Sequence, residues 1–183
     1  MSGAVHHNHD RGLEDMSASI DPSHKEELRR IMGRYATGAA IVTATHDGTP
    51  CGLAVNSLTS VSLEPPLVLF CPAKRSETWP SIERAGHFAV NILGSRQQEL
   101  CRLFSRKGAD RFADIGYTMS ASGSPVLDDV IAYLECRIDA IHDAGDHFIT
   151  VGEVLTLGVK QETTPLVFYD GCYHELAVSS SGS

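Results

Sequence analysis

A chain of 183 residues with 42% hydrophobic and 21% charged content can bury one substantial core and is short for two independent domains. Fifteen Lys and Arg against 23 Asp and Glu leave a net charge of −8, the wrong sign for a broad nucleic-acid or anionic-lipid surface, so neither is expected as a partner. No apolar run reaches the roughly 20 residues of a bilayer span and the N-terminus lacks the basic-then-apolar pattern of a signal peptide, which makes a cytoplasmic location the expectation.

Residues 1–20 mix His6, His7 and His9 with Gly, Ser and Asp without periodicity, and residues 179–183 are small and polar. Both read as flexible tails around a folded unit spanning 21–178. Order begins at Asp21-Pro22-Ser23, where a capping residue, a helix-initiating proline and a Ser-x-x-Glu box ending at Glu26 precede the apolar Leu28, Ile31 and Met32. An amphipathic helix is predicted there. A run from Ala40 to Thr45, the pair Asp47-Gly48, and a second run through Cys51, Leu53 and Val55 have the pattern of a hairpin.

Leu67 to Cys71 and Phe88 to Leu93 are short apolar runs typical of buried strands. Between them a helix is predicted over Thr78 to Arg84, with Ser76 as its cap and Gly86 as its stop, and a further helix over Gln97 to Phe104. The last third returns to strands: Ile131 to Ile141, Phe148 to Leu157, and Leu166 to Tyr169 turning at Asp170-Gly171 into Cys172 to Leu176. At least seven strands and three helices result, a mainly β chain whose antiparallel sheet closes on itself with helices packed outside.

The five cysteines, Cys51, Cys71, Cys101, Cys136 and Cys172, are odd in number and contain no C-x-x-C pair. Reduced thiols packed as small hydrophobes are expected, with no disulfide framework and no metal site. The glycine-rich phosphate loops G-x-G-x-x-G and G-x-x-x-x-G-K-[ST] are absent, as are G-x-S-x-G and H-E-x-x-H. Any nucleotide must be held by other means.

Two segments suit that task. From Ala54 through Asn56, Ser57, Thr59, Ser60 and Ser62, polar and apolar residues alternate at the strand period of two, giving either a polar binding face or a solvent face. Cys71-Pro72-Ala73-Lys74-Arg75-Ser76-Glu77-Thr78-Trp79 is a strand end entering a helix, with two adjacent cations and a capping hydroxyl, a setting that favours phosphate. Trp79, the only tryptophan, either stacks on a ring or plugs the core. Arg102, Arg106, Lys107 and Arg111, interleaved with Phe104 and Phe112, form the main basic patch, either a solvated face or a phosphate clamp. Gly145-Asp146-His147 begins a strand and presents an imidazole beside a carboxylate.

Taken together, Thr37 to Thr43, Gly52 to Ser57, Ser60 to Leu69, Phe88 to Leu93 and Gly145-Asp146-His147 resemble the short flavin reductases that supply two-component monooxygenases, over roughly residues 28 to 175. The resemblance implies an FMN-binding antiparallel split β-barrel with flanking helices. It also implies a homodimer that uses NADH or NADPH to reduce FMN or FAD, which then passes to a flavin-dependent monooxygenase. By the same resemblance, Leu53, Ala54, Val55, Asn56, Ser57 and Ser60 contact the isoalloxazine and ribityl chain. Cys71, Pro72, Ala73, Lys74 and Ser76 with Trp79 form the phosphate and ring-edge segment, and Phe104, Lys107 and Phe112 the flanking loop. His147 takes the catalytic, nicotinamide-facing position. Hydride passes directly between two rings, so the protein must mainly align them, and no nucleophile is required. A flavin-binding module without turnover, or a related split-barrel oxidase, is the alternative.

Overall fold

The computed structural model describes residues 21–108 and 110–177; both expected tails, with His6, His7 and His9, lie outside the described residues. In chain order the elements are α1 (Pro22–Met32), β1 (Thr37–Gly38), β2 (Ala40–His46), β3 (Thr49–Val55), β4 (Thr59–Leu63), β5 (Pro66–Phe70), α2 (Trp79–Ala85) and β6 (His87–Ile92). A 3-10 turn (Ser95–Gln97) leads into α3 (Gln98–Ser105), followed by β7 (Tyr117–Met119), β8 (Pro125–Leu127), β9 (Ala132–Ala144), β10 (His147–Val159), β11 (Leu166–Tyr169) and β12 (Cys172–Glu175).

The hairpins form where the turn chemistry demands. Asp47 and Gly48 take φ of 49° and 74°, and Asp170 and Gly171 take 50° and 77°, the left-handed pair that joins two twisted strands with least splay. Gly86 likewise closes α2 in the left-handed region at φ 71°.

Seven strands pair antiparallel in the order β3-β2-β6-β9-β10-β5-β4. Their inner faces and α2 bury one apolar cluster that includes Val42, Val55, Phe70, Trp79, Ile82, Phe88 and Val90. No ladder joins the two edge strands β3 and β4 among the described residues, so the barrel is split along that seam. A second cluster, around Ile41, Leu93, Phe104 and Leu127, fixes α3 to the other face of β2.

The apolar run of β6 contains one polar residue, and the structure uses it. Asn91 is fully buried; its Nδ2 donates to the Ile41 carbonyl (3.2 Å) and to Thr43 Oγ1 (3.0 Å), and its Oδ1 accepts from the Leu127 N–H (2.8 Å). Thr43 in turn donates to the Pro125 carbonyl. These bonds moor β8 to the barrel.

Three expectations need correction. The alternating stretch from Ala54 to Ser62 is not one strand: β3 ends at Val55, residues 56–58 leave the ladder, and β4 begins at Thr59. The apolar stripe of α1 is not packed on the chain's own core, since Leu28, Ile31 and Met32 are each more than half exposed. Cys172 is exposed, whereas Cys101 and Cys136 are buried and all five cysteines are free thiols. Among the described residues no helix is long and apolar enough to cross a membrane.

Replacing Asn91 with Leu keeps the volume but strands the Leu127 N–H in the core and removes the donor to the Ile41 carbonyl and Thr43 Oγ1. Urea denaturation should show a loss of about 2–4 kcal/mol; an unchanged midpoint would mean that the network does not hold β8.

Candidate functional site

Past the end of β5 the chain keeps hydrogen bonding to the start of β10. The Phe148 N–H donates to the Pro72 carbonyl and the Lys74 N–H to the Asp146 carbonyl, both at 3.0 Å, and Ala73 pairs with His147 as an isolated antiparallel bridge. This extension carries the Gly145-Asp146-His147 corner to the segment Cys71 to Ser76. Across from it stand the end of β3 and the turn leaving α3.

Between them lies a cleft of about 580 Å³, within the range of small-molecule and cofactor sites. Leu53, Ala54, Val55, Asn56 and Ser57 line one side, Cys71, Pro72, Ala73 and Ser76 the other, with Phe104, Lys107 and His147 completing it. All of these belong to the residues singled out in the sequence. Arg75, Arg106 and Arg111, candidate phosphate cations in the sequence, also line the cleft, as do Glu77, Thr78 and Ser105, which were not assigned a contact there.

Four anticipated contacts lie elsewhere. Ser60 is exposed on the edge strand β4, paired with Val68. Lys74 reaches the other way, to Asp143 at 2.5 Å and over the Phe148 ring at 5.3 Å. Trp79 is a core residue, 1% exposed, edge-on to Phe70 and tilted against Phe148. Phe112 stacks edge-on behind Phe104, buttressing the cleft wall.

The polar groups of the cleft are spent on one side only. Ser57 Oγ accepts from the Cys71 N–H (2.9 Å), Ser76 Oγ from the Trp79 N–H (3.2 Å), and Thr78 Oγ1 from Arg111 (2.9 Å). A hydroxyl that accepts keeps its own proton to donate, so three O–H donors are held in place around the cavity. Phe104 makes the apolar back wall because Gly52 lets its ring lie on the β3 backbone; a Cβ on Gly52 would stand 2.7 Å from that ring.

Arg111 is the strut behind this arrangement. Its Nη1 donates to Thr78 Oγ1 and to the Gly52 carbonyl (3.1 Å), and its Nη2 to the Arg106 carbonyl (2.5 Å). One planar guanidinium thus ties β3, the start of α2 and the basic loop. Lys107 faces Glu77 at 3.5 Å in a largely exposed ion pair, which yields readily to another anion.

At the mouth, His147 is 44% exposed and its Nδ1 lies 2.7 Å from Asp146 Oδ1. The hydrogen bond and charge interaction with His147 hold the Asp146 carboxyl below the usual carboxylate range. Burial pushes the Cys71 thiol up, so it stays protonated and lines the cleft without acting as a nucleophile. Among the described residues no group of three or more His, Cys, Asp or Glu gathers that could hold a metal ion.

The donor set fits a planar heteroaromatic ring with a phosphorylated side chain, and comparison with known proteins gives the same direction. The model of the flavin reductase like domain matches residues 32–177. The reductase subunit HsaB of a flavin-dependent monooxygenase from Rhodococcus jostii (strain RHA1) is 44% identical over 155 residues, covering 85% of this chain and 78% of that one. A nitrilotriacetate monooxygenase component B homolog from Mycobacterium thermoresistibile superposes with a TM-score of 0.82 at 41% identity, over 85% of this chain and 88% of that one. The NADH:FAD oxidoreductase SgcE6 of Streptomyces globisporus C-1027, solved with NAD and FAD fragments, superposes with a TM-score of 0.82 at 33% identity, over 88% of this chain and 98% of that one.

Removing the strut in Arg111→Ala should cost about 1.5–3 kcal/mol of stability and loosen the loop. Limited trypsin digestion would then cut after Arg106 or Lys107 faster than in the parent; equal cutting rates would show that the loop is held by other contacts.

Proposed function

The chain belongs to the flavin reductase-like family, and from that premise we propose that it is an NAD(P)H:flavin oxidoreductase acting on FMN or FAD and supplying reduced flavin to a flavin-dependent monooxygenase component. The observation that carries this is the cleft itself: three placed O–H donors, the exposed cations Arg75 and Lys107 and an apolar back wall on one side, and a half-exposed histidine at its mouth. A bound flavin supplies the hydride-accepting chemistry, with NADH or NADPH as donor.

The protein's own part is alignment and charge. Leu53, Ala54, Val55 and Phe104 offer an apolar surface that excludes water from the ring, and Asn56, Ser57 and Cys71 stand at its polar edge. Ser76 and Thr78 donate toward the phosphorylated chain, with Pro72 and Ala73 as its floor. Arg75 and Lys107 bring positive charge to that end, where an otherwise acidic molecule would repel a phosphate. Lys74, Trp79 and Phe112 act behind the wall, and Ser60 at the seam edge, holding the lining in place.

His147 acts as the nicotinamide-facing residue. Its Nδ1 is engaged by Asp146, which orients the ring and leaves Nε2 for a substrate group. No side chain needs to attack, consistent with a cleft that holds no activated nucleophile.

A second copy of the chain is the proposed cover for α1, whose Leu28, Ile31 and Met32, with Tyr35 just past its end, form an exposed apolar stripe; an amphipathic helix of this kind is stable when another surface buries it. Sedimentation equilibrium should give a homodimer, and a monomer at micromolar concentration would end that assignment.

Purified protein should oxidise NADH or NADPH with added FMN or FAD, and His147→Ala should lower kcat/KM for the nicotinamide about tenfold or more with little change in flavin affinity. Flavin that binds tightly and stays oxidised under excess NADH and NADPH would instead make the protein a flavin-binding module.

A further inference from the structure

His147 stands at the tip of a hairpin that core packing does not fix. The turn between β9 and β10 is the pair Gly145-Asp146, closed by Ala144 opposite His147, and both turn residues are exposed. A tip with so few buried contacts takes its position from tethers at its side. Two of these are the backbone bonds to the segment 72–74, one of them made by the Lys74 N–H. The Lys74 side chain makes a third.

Lys74 Nζ lies 2.5 Å from Asp143 Oδ2 and 5.3 Å from the centre of the Phe148 ring. Asp143 and Phe148 are partners across the β9–β10 ladder, and side chains directly opposite in an antiparallel pair share a face. One ammonium therefore grips both strands of the hairpin just below its turn. Phe148 also packs against the buried Trp79, which refers the grip to the barrel core. His147 precedes Phe148 in the strand, so its imidazole projects from the opposite face and lines the cleft. A cation on one face of the hairpin thus sets the tilt of an imidazole on the other.

We propose, on the flavin reductase reading, that Lys74 is a positioning residue for His147. Its contacts with Asp143 and Phe148 fix the hairpin tip and through it the approach of the nicotinamide, while Lys74 itself touches neither ring nor phosphate. Loss of the grip is then felt by the hydride donor and not by the flavin.

Lys74→Met keeps the unbranched stem and removes the charge. With saturating FMN it should lower kcat/KM for NADH about three- to tenfold, the scale of a partly exposed ion pair joined to a cation–π contact. The Kd for FMN should stay within about twofold of the parent value, and Lys74→Arg, which can still pair and stack, should restore kcat/KM. In the His147→Ala background Lys74→Met should have little further effect, because no imidazole remains to be placed. An undiminished effect in that background would mark a merely stabilising lysine, and a raised Kd for FMN a phosphate ligand; either would overturn the proposal. Amide hydrogen exchange in the ligand-free protein reads the grip without turnover. The Lys74 and Phe148 N–H groups should exchange faster in Lys74→Met and at the parent rate in Lys74→Arg, and parent rates in both variants would also overturn it. A parent protein that oxidises neither NADH nor NADPH with any flavin would remove the underlying reading, while the exchange rates still decide whether Lys74 holds the tip.

Discussion

The site depends on two backbone hydrogen bonds, from Phe148 to Pro72 and from Lys74 to Asp146, that prolong the β5–β10 ladder beyond the sheet. Strand register has a period of two, so a slip of one residue would turn His147 away from the cleft. The register is held by Gly152, which sits under Phe88; a Cβ there would lie 2.5 Å from that ring. The ladder between β9 and β10 carries a register shift at this same glycine, and bulges of this kind fix where a strand points. A packing event in the barrel core therefore decides where an imidazole stands at its rim.

The cleft is equipped for holding and unequipped for attacking. Its thiol stays protonated, its hydroxyls accept from the backbone or from Arg111 and keep their protons, and its exposed cations Arg75 and Lys107 lie outside the helices and strands. These traits suit a reaction in which two bound rings exchange hydride and the protein contributes distance, orientation and charge. They also explain why a search for catalytic motifs in the sequence finds none.

What was legible in the sequence was what local chemistry dictates. Asp47-Gly48, Asp170-Gly171 and Gly86 mark turns and a helix end because few other residues take those backbone angles, and the apolar runs mark strands that are buried. Polar alternation from Ala54 to Ser62 misled because side-chain period says nothing about where a strand loses its hydrogen-bonding neighbour, and here β3 leaves its ladder at Val55. Trp79 could not be placed because burial and ring stacking ask for the same residue. Lys74 was ambiguous for a related reason, its partner Asp143 lying 69 residues away. Arg111 was visible only as one of four charges; its service to Gly52, Thr78 and Arg106 is a tertiary fact.

Direct hydride transfer from a nicotinamide to a flavin aligned in this cleft is the chemistry these features serve. Anaerobic rapid mixing of the flavin-loaded protein with NADH carrying deuterium at the transferred C4 position tests it most directly. Flavin absorbance should be lost, and lost more slowly with the deuterated donor than with ordinary NADH. Loss at the same rate with both would mean that another step limits reduction, and no loss of absorbance with either NADH or NADPH would contradict the claim.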